Sequence, residues 1–170
     1  IGYAVQGSAL FPHLTAAENI GILARELGWA QARVDERIAE LLELMRLPPG
    51  YRDRFPHELS GGEQQRVGLC RAMFARPKIL LLDEAFGALD PLTRADIHAS
   101  LREMLRVEPL TVVLVTHDPA EAQSLAAHWI VLEAGRVLQE GTPAELRANP
   151  AGDFIRRICE ISGGVGEESA

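Results

Sequence analysis

The chain has 170 residues, of which 47% are hydrophobic and 24% are charged, and it carries a formal net charge of −7. This balance excludes a disordered or fibrous protein, and the length predicts one domain with a sizeable buried core. No apolar run approaches the roughly 18 residues that a membrane span requires. The acidic charge argues against a nucleic-acid surface, because phosphate contacts need clustered lysine and arginine side chains.

The start of the chain and its cysteines favour a reducing compartment. Residues 1–6 lack the basic and apolar regions of a signal peptide. Cys70 and Cys159 are far apart in the sequence and fit neither a disulfide framework nor a pair of metal ligands. We therefore expect a cytoplasmic protein.

The first half of the chain is predicted to be mostly helical. Capping boxes place helix starts after Thr15 and Ser60, each with a glutamate three residues later. Apolar residues recur on one face between positions 32 and 45, which predicts another helix, and the prolines that follow end it. We expect a helical subdomain over about residues 15–75, inserted between strands of a sheet.

Two buried strands and the helix between them define the next part of the chain. Residues 79–82 and 111–115 are short, continuous apolar runs, which are typical of a parallel sheet covered on both faces. Between them, Asp90 followed by Pro91 is a helix-start signal. The fold class is therefore α/β with a mostly parallel sheet, and such sheets bind ligands at their carboxyl edge.

The last part of the chain predicts a hairpin, one short helix and a tail. Residues 129–138 contain two apolar strands around a Glu-Ala-Gly turn, and Thr142 caps what we expect to be the last helix. Residues 163–170 are polar and glycine-rich and are expected to be flexible. The predicted domain thus spans residues 1–162, with its sheet part at 76–162.

Two carboxylates, Asp83 and Glu84, end the first buried strand. In a nucleotide site, Asp83 suits Mg²⁺, usually through water, because this ion keeps most of its water shell. Glu84 is then placed to act as general base on an attacking water. The alternative is an acidic turn at the end of a strand, without any chemistry.

A glycine-opened helix is the second chemical feature. In Leu-Ser-Gly-Gly-Glu-Gln-Gln-Arg (59–66), two glycines let backbone N–H groups approach an anion, and the helix dipole favours negative charge there. Ser60 either caps the helix or donates its hydroxyl to a phosphate oxygen. The alternative is a plain helix start beside a glycine turn.

These segments resemble motifs of the ATP-binding-cassette (ABC) ATPases: residues 59–66 the signature motif, and residues 79–84 the Walker B strand. In family order, Gln6 matches the Q-loop glutamine, residues 88–91 the D-loop and His117 the switch histidine. The resemblance implies a P-loop NTPase (ABC ATPase) core with an inserted helical subdomain. It also implies an enzyme that hydrolyses ATP to ADP and phosphate with Mg²⁺.

The same resemblance implies a role for each matched residue. Glu84 and His117 are the implied catalytic residues, and Asp83 and Gln6 are the implied metal-site residues. In this family the signature helix closes over the nucleotide of a second subunit, which implies a homodimer with two composite sites. The residues implied in nucleotide binding are Gln6, Ser60, Gly61, Gly62, Glu63, Gln64 and Asp90.

Residues 1–6, 10–15, 56–59 and 86–91 resemble a narrower branch, the importer ATPases for osmoprotectants such as glycine betaine, choline and related quaternary amines. Importers of amino acids, polyamines or sulfonates share parts of this pattern and stay open as alternatives. The branch implies an ATP-hydrolysing subunit at the cytoplasmic face of the inner membrane.

The implied partners are transmembrane permease subunits and, indirectly, an extracytoplasmic substrate-binding protein, with no nucleic acid. Phe11, Leu14 and Ile20 are the candidates for a groove that receives a permease helix. We expect ordinary core packing for at least one of the three.

The chain departs from the family pattern at the Walker A loop and at Ala85, among other positions. The Walker A loop, Gly-x-x-x-x-Gly-Lys, is not found, and the only lysine, Lys78, opens a strand and does not fit that role. We therefore expect a fragment that lacks the Walker A region and is inactive by itself. Ala85 stands where the family usually has proline, so we expect a slightly looser turn.

Two other function classes stay open. A non-transport ABC ATPase that acts on DNA or ribosomes usually carries coiled coils, tandem cassettes or basic surfaces, and the sequence shows none of these. A catalytically dead interaction module is favoured by the missing Walker A loop.

Overall fold

The computed structural model describes residues 1–163. Two 3-10 helices, Pro49–Asp53 and Pro56–Glu58, lie between the second and third α-helices. The strands and α-helices, in chain order, are β1 (Gly2–Val5), α1 (Ala16–Ile20), α2 (Gln31–Leu44), α3 (Gly61–Met73), β2 (Ile79–Asp83), α4 (Pro91–Val107), β3 (Thr111–Val115), α5 (Pro119–Leu125), β4 (Trp129–Glu133), β5 (Arg136–Gly141), α6 (Pro143–Ala148) and α7 (Asp153–Gly163).

The chain forms two compact units, Ile1–Val115 and Thr116–Ala170, and the predicted single domain over residues 1–162 stays a prediction. The division follows the hydrogen bonding: β1, β2 and β3 form one sheet, and β4 and β5 form a separate one. The predicted flexible tail, 163–170, lies outside the described residues except for Gly163, which ends α7. The predicted boundary between a helical subdomain and the sheet part stays a prediction.

β2 is the central strand of the first sheet and pairs in parallel with β1 and β3, with Val5, Asp83 and Val115 in register. This confirms the α/β class and the parallel sheet. One sheet face is packed, because Leu80 and Leu82 are at most 1% exposed. The opposite face is open within residues 1–163, where Val115 is 53% exposed, so the prediction of a sheet covered on both faces is wrong there. The reason is that successive side chains of a strand point to opposite faces, and the apolar runs do not distinguish the two.

Side-chain caps start three helices where the sequence predicts them. Thr15 and Ser60 each form a capping box with the glutamate three residues on, at the start of α1 and α3. Asp90 accepts a hydrogen bond from the Thr93 N–H at 3.0 Å and begins α4, the helix that connects β2 to β3. These caps satisfy backbone N–H groups that would otherwise lack partners in the first helical turn.

A buried ion-pair network ties α2 to the ends of α3 and α4. Arg37 is 3% exposed, and its guanidinium donates to the backbone oxygens of Met73 at 2.7 Å and Phe74 at 3.2 Å. It also pairs with Glu40 and Glu108. Because a buried charge without its partners is costly, this network fixes α2 against the two neighbouring helices.

In the second unit, β4 and β5 form the predicted antiparallel hairpin. Its core contains Trp129, Leu146, Ile155 and Cys159. The prediction that the helix after Thr142 is the last one is wrong, because α7 follows α6. α7 contributes Ile155 and Cys159 to this core, and their spacing of four residues places both on one helix face.

Both cysteines are buried, free thiols, in agreement with the absence of a disulfide pattern. Burial raises the pKa of the Cys70 thiol to about 12, so that this group stays protonated at neutral pH.

Within residues 1–163, no helix combines the length and the apolar character that crossing a bilayer demands.

Candidate functional site

The carboxyl edge of the three-stranded sheet brings Gln6 next to the acidic pair. The Gln6 N–H donates to the backbone oxygen of Asp83 at 3.1 Å, and the Glu84 N–H donates to that of Val115 at 2.9 Å. These bonds extend the strand pairing by one residue on each side of β2. The structure therefore places Gln6, Asp83 and Glu84 together at the edge where parallel sheets bind ligands.

Asp83 is exposed at this edge, and a tyrosine on the neighbouring strand holds its carboxylate. The Tyr3 hydroxyl donates to Asp83 Oδ2 at 3.1 Å. This hydrogen bond, with smaller contributions from desolvation and the carboxylate charge, raises the pKa of Tyr3 above its usual value. In the sequence, Tyr3 carries no signal beyond strand propensity, because it is a single aromatic residue in a short strand.

The donor set at this edge fits Mg²⁺ rather than a metal held by protein side chains alone. Within residues 1–163, no three His, Cys, Asp or Glu side chains are grouped to hold a metal ion. Mg²⁺ does not require such a group, because it usually binds one or two carboxylates and completes its shell with water and phosphate oxygens. Asp83, with its carboxylate exposed beside Gln6, is suited to that kind of site.

Glu84 has a strained backbone. Its φ is 47°, in the left-handed region that residues with a side chain rarely adopt. Such a conformation costs on the order of 1–3 kcal/mol and persists only where the surroundings fix it. Here the hydrogen bond from the Glu84 N–H to Val115 fixes the backbone of Glu84 itself. The buried residues Ala85 and Phe86, which are 3% and 0% exposed, fix the chain that follows it. The looser turn predicted for Ala85 stays a prediction.

The signature segment begins α3 with a fully formed cap. Ser60 Oγ accepts from the Glu63 N–H at 3.3 Å, and Glu63 Oε2 accepts from the Ser60 N–H at 2.7 Å. The Tyr51 hydroxyl donates to Glu63 Oε1 at 2.9 Å. Although burial opposes it, the bonds from Ser60 and Tyr51 lower the pKa of Glu63 below its usual value. Glu63 thus organises the helix start, and its predicted contact with a nucleotide stays a prediction.

The two signature glycines differ in their surroundings. A Cβ on Gly61 would meet no atom within 4 Å, whereas one on Gly62 would lie 2.4 Å from Thr93 Cγ2. Thr93 belongs to the first turn of α4, and its bonds lower the pKa of the capping Asp90. The glycine at position 62 therefore allows the signature segment to touch the start of α4, where the D-loop ends.

Three of the remaining predicted residues are placed as follows. The Gln64 side chain donates to the backbone oxygens of Pro56 at 3.0 Å and Leu59 at 3.1 Å, and its Oε1 accepts from the Ser8 hydroxyl at 3.4 Å. His117 is exposed and lies in the second unit. Their predicted roles, like those of the other site residues, stay predictions. Ile20 is fully buried, which makes it the expected core member among the groove candidates.

The first unit has the architecture of an ATP-binding-cassette ATPase. Its parallel sheet has a central strand, β2, that ends in two carboxylates, and α3, which begins with two glycines, packs against this sheet. The structure is similar to that of the ATP-binding cassette MJ0796 in a dimeric post-hydrolysis state bound to ADP and Pi, with a TM-score of 0.70 and 33% identity. The likeness covers 83% of this chain and 62% of that one.

The chain belongs to the ABC transporter family, whose sequence model matches residues 1–87. It is 46% identical over 158 residues to the glycine betaine uptake system ATP-binding protein YehX of Escherichia coli, covering 93% of this chain and 51% of that protein. It is also 46% identical to the glycine betaine/carnitine/choline transport ATP-binding protein OpuCA of Bacillus subtilis, covering 93% and 42%.

A sulfate/thiosulfate import ATP-binding protein, CysA of Thermosynechococcus vestitus, is 46% identical over 157 residues, covering 91% of this chain and 46% of its own length. The chain thus spans about half the length of the curated relatives that it matches.

Proposed function

We propose that this protein is an ATP-hydrolysing subunit that powers the import of an osmoprotectant, a quaternary amine such as glycine betaine or choline. The observation that carries the ATPase assignment is the convergence of Gln6, Asp83 and Glu84 at the carboxyl edge of the sheet. The substrate class rests on the similarity to YehX and OpuCA, whose names state glycine betaine transport.

In the proposed reaction, water attacks the γ-phosphorus of ATP, and the protein contributes positioning and charge neutralisation. The Glu84 carboxylate accepts a proton from that water, and its fixed backbone holds it in one place. His117 contacts the γ-phosphate. Asp83 and Gln6 would hold Mg²⁺, which would neutralise charge on the phosphate oxygens.

The signature face is proposed to act on the nucleotide of a second copy. At the start of α3, the N–H groups of Gly61 and Gly62 and the Ser60 hydroxyl are suited to bind phosphate oxygens. Asp90 is proposed to lie at the same dimer contact. The similar structure of MJ0796 is dimeric, which supports this arrangement.

A permease in the membrane is the proposed second partner, and an extracytoplasmic binding protein delivers the substrate to it. Phe11 is 44% exposed and is the stronger candidate for the permease contact, whereas buried Ile20 is excluded from it. We place the protein at the cytoplasmic face of the inner membrane.

Hydrolysis by the natural gene product that contains these 170 residues tests the catalytic assignment. Glu84→Gln should lower kcat by about a hundredfold or more, because the general base is lost. Glu160→Gln, the same change at an exposed position of α7, is the matched control and should leave kcat unaltered. Hydrolysis by Glu84→Gln at the wild-type rate would show that another group accepts the proton.

Substrate uptake tests the transport assignment. It also distinguishes osmoprotectant import from sulfate import, the alternative that the similarity to CysA suggests. The gene product is reconstituted with its permease in vesicles with internal ATP, and the substrate-binding protein is added outside. Uptake of labelled glycine betaine that is abolished by Glu84→Gln supports the proposal. Uptake of sulfate, with none of glycine betaine, refutes the substrate class and leaves the ATPase assignment intact.

A further inference from the structure

The loop that carries Gln6 has an unusual backbone. Gly7, Ser8 and Ala9 have φ values of 76°, 57° and 44°, all in the left-handed region. Two of the three residues carry side chains, so the loop is strained and needs outside contacts to keep this conformation. Within residues 1–163, the side-chain contacts that fix Ser8 and Ala9 come from α3.

Gln65 binds the loop on both sides of Gln6. Its side chain is 3% exposed, and its Oε1 accepts from the Ser8 N–H at 3.0 Å. Its Nε2 donates to the backbone oxygen of Val5 at 3.3 Å, just before Gln6. One buried side chain thus satisfies a backbone donor and a backbone acceptor that flank the site residue.

Two further residues of α3 hold the outer part of the same loop. The Arg71 guanidinium donates to the backbone oxygens of Ser8 at 2.9 Å and Ala9 at 2.8 Å. A Cβ on Gly68 would lie 3.3 Å from the Ser8 oxygen, so the glycine permits the close approach. Gln65, Gly68 and Arg71 are spaced by three residues and form one face of the helix.

We infer that Gln65 is a positioning residue for Gln6, and that α3 thereby links the Gln6 loop to the signature face of the same subunit. The inference rests on the proposed function. Ser60 and Gln65 are separated by about 7.5 Å along a rigid helix, at a rise of about 1.5 Å per residue. A nucleotide bound at the signature face therefore contacts the same helix, α3, that holds the Gln6 loop in its conformation.

Substitution of Gln65 by methionine in the natural gene product tests the inference. Gln65→Met keeps the length of the side chain and removes both hydrogen bonds. We expect kcat for ATP to fall about tenfold, as the loss of two side-chain hydrogen bonds suggests, with a smaller change in KM. The Ser8 N–H should also exchange with solvent faster than in the wild type.

Gln139→Met is the matched control. In the second unit, Gln139 likewise makes two bonds to the backbone, to the Asn149 oxygen at 3.0 Å and from the Ala151 N–H at 2.9 Å. The control loses the same kind of contacts and should leave kcat unchanged.

A double-mutant cycle with Gln6→Ala separates positioning from a general structural role. If Gln65 acts through Gln6, Gln65→Met costs no further activity once Gln6 is removed. Arg71→Met should show the same non-additivity, and it serves as the readout if Gln65→Met does not fold. Additive effects, or an unchanged kcat in an active protein, would overturn the inference. An inactive wild type would instead refute the proposed function.

Discussion

Gly62→Ala should destabilise the chain, whereas Gly61→Ala, one residue earlier, should not. A Cβ at position 62 would lie 2.4 Å from Thr93 Cγ2, well inside van der Waals contact. Thr93 is β-branched and stiff about χ1, and it is also bonded to Asp90, so its methyl group does not turn away freely. Overpacking of this kind costs about 1–3 kcal/mol, and the better helix propensity of alanine offsets up to about 1 kcal/mol of it.

We therefore expect Gly62→Ala to lose about 1–2 kcal/mol in urea unfolding of the 170-residue chain. Gly61→Ala has open space at its Cβ and should gain about 0.5–1 kcal/mol. Combining Gly62→Ala with Thr93→Ser removes the clashing methyl group but keeps the hydroxyl, and most of the loss should be recovered. Equal stability of the two alanine variants, or no recovery in the double variant, would refute the steric argument.

Three other predictions concern charged groups. Arg37→Met should cost about 1–3 kcal/mol in urea unfolding, because the buried backbone oxygens of Met73 and Phe74 lose their donor. The Glu108 carboxylate keeps its ion pair with Arg76, so no isolated charge is left behind. A cost below about 1 kcal/mol would show that the network contributes little. The pKa of Glu63 is lowered by folding, so its stabilisation is complete above its unfolded value near 4.5 and is lost as the pH falls through the folded value. Glu63→Gln should therefore narrow the difference in unfolding free energy between pH 7 and pH 3, and an unchanged difference would contradict this. Asp83→Asn should bring the raised pKa of Tyr3 back toward 10.0, measured by ultraviolet titration of the phenol; a pKa that stays raised would place its cause elsewhere.

Local signals in the sequence predicted the parts of the fold that short segments determine. The apolar run that stops at Asp83 places the acidic pair at a strand end, and Thr15, Ser60 and Asp90 each cap the helix that follows. These interactions join residues within three positions of one another, so the order of residue types is enough to predict them.

Features that depend on long-range packing were not predictable in the same way. Gln64 and Gln65 are chemically identical neighbours, and only the way α3 packs against β1 makes Gln65 the one that bonds to the backbone of the Gln6 loop. Leu80 and Leu81 likewise look alike in sequence, although Leu80 is fully buried and Leu81 lies on the opposite face. Ile20 is one of three apolar candidates for a partner surface, of which at least one is expected in the core, and only the fold shows that Ile20 is buried.

Two copies of the protein are proposed to complete a single nucleotide site, in which the start of α3 from one copy faces Asp83 and Glu84 of the other. The most direct test is the molar mass of the natural gene product with Glu84→Gln, measured by light scattering with and without saturating ATP and Mg²⁺. We expect a monomer without nucleotide and a stable dimer with it. A monomer at saturating ATP and Mg²⁺ would contradict the claim.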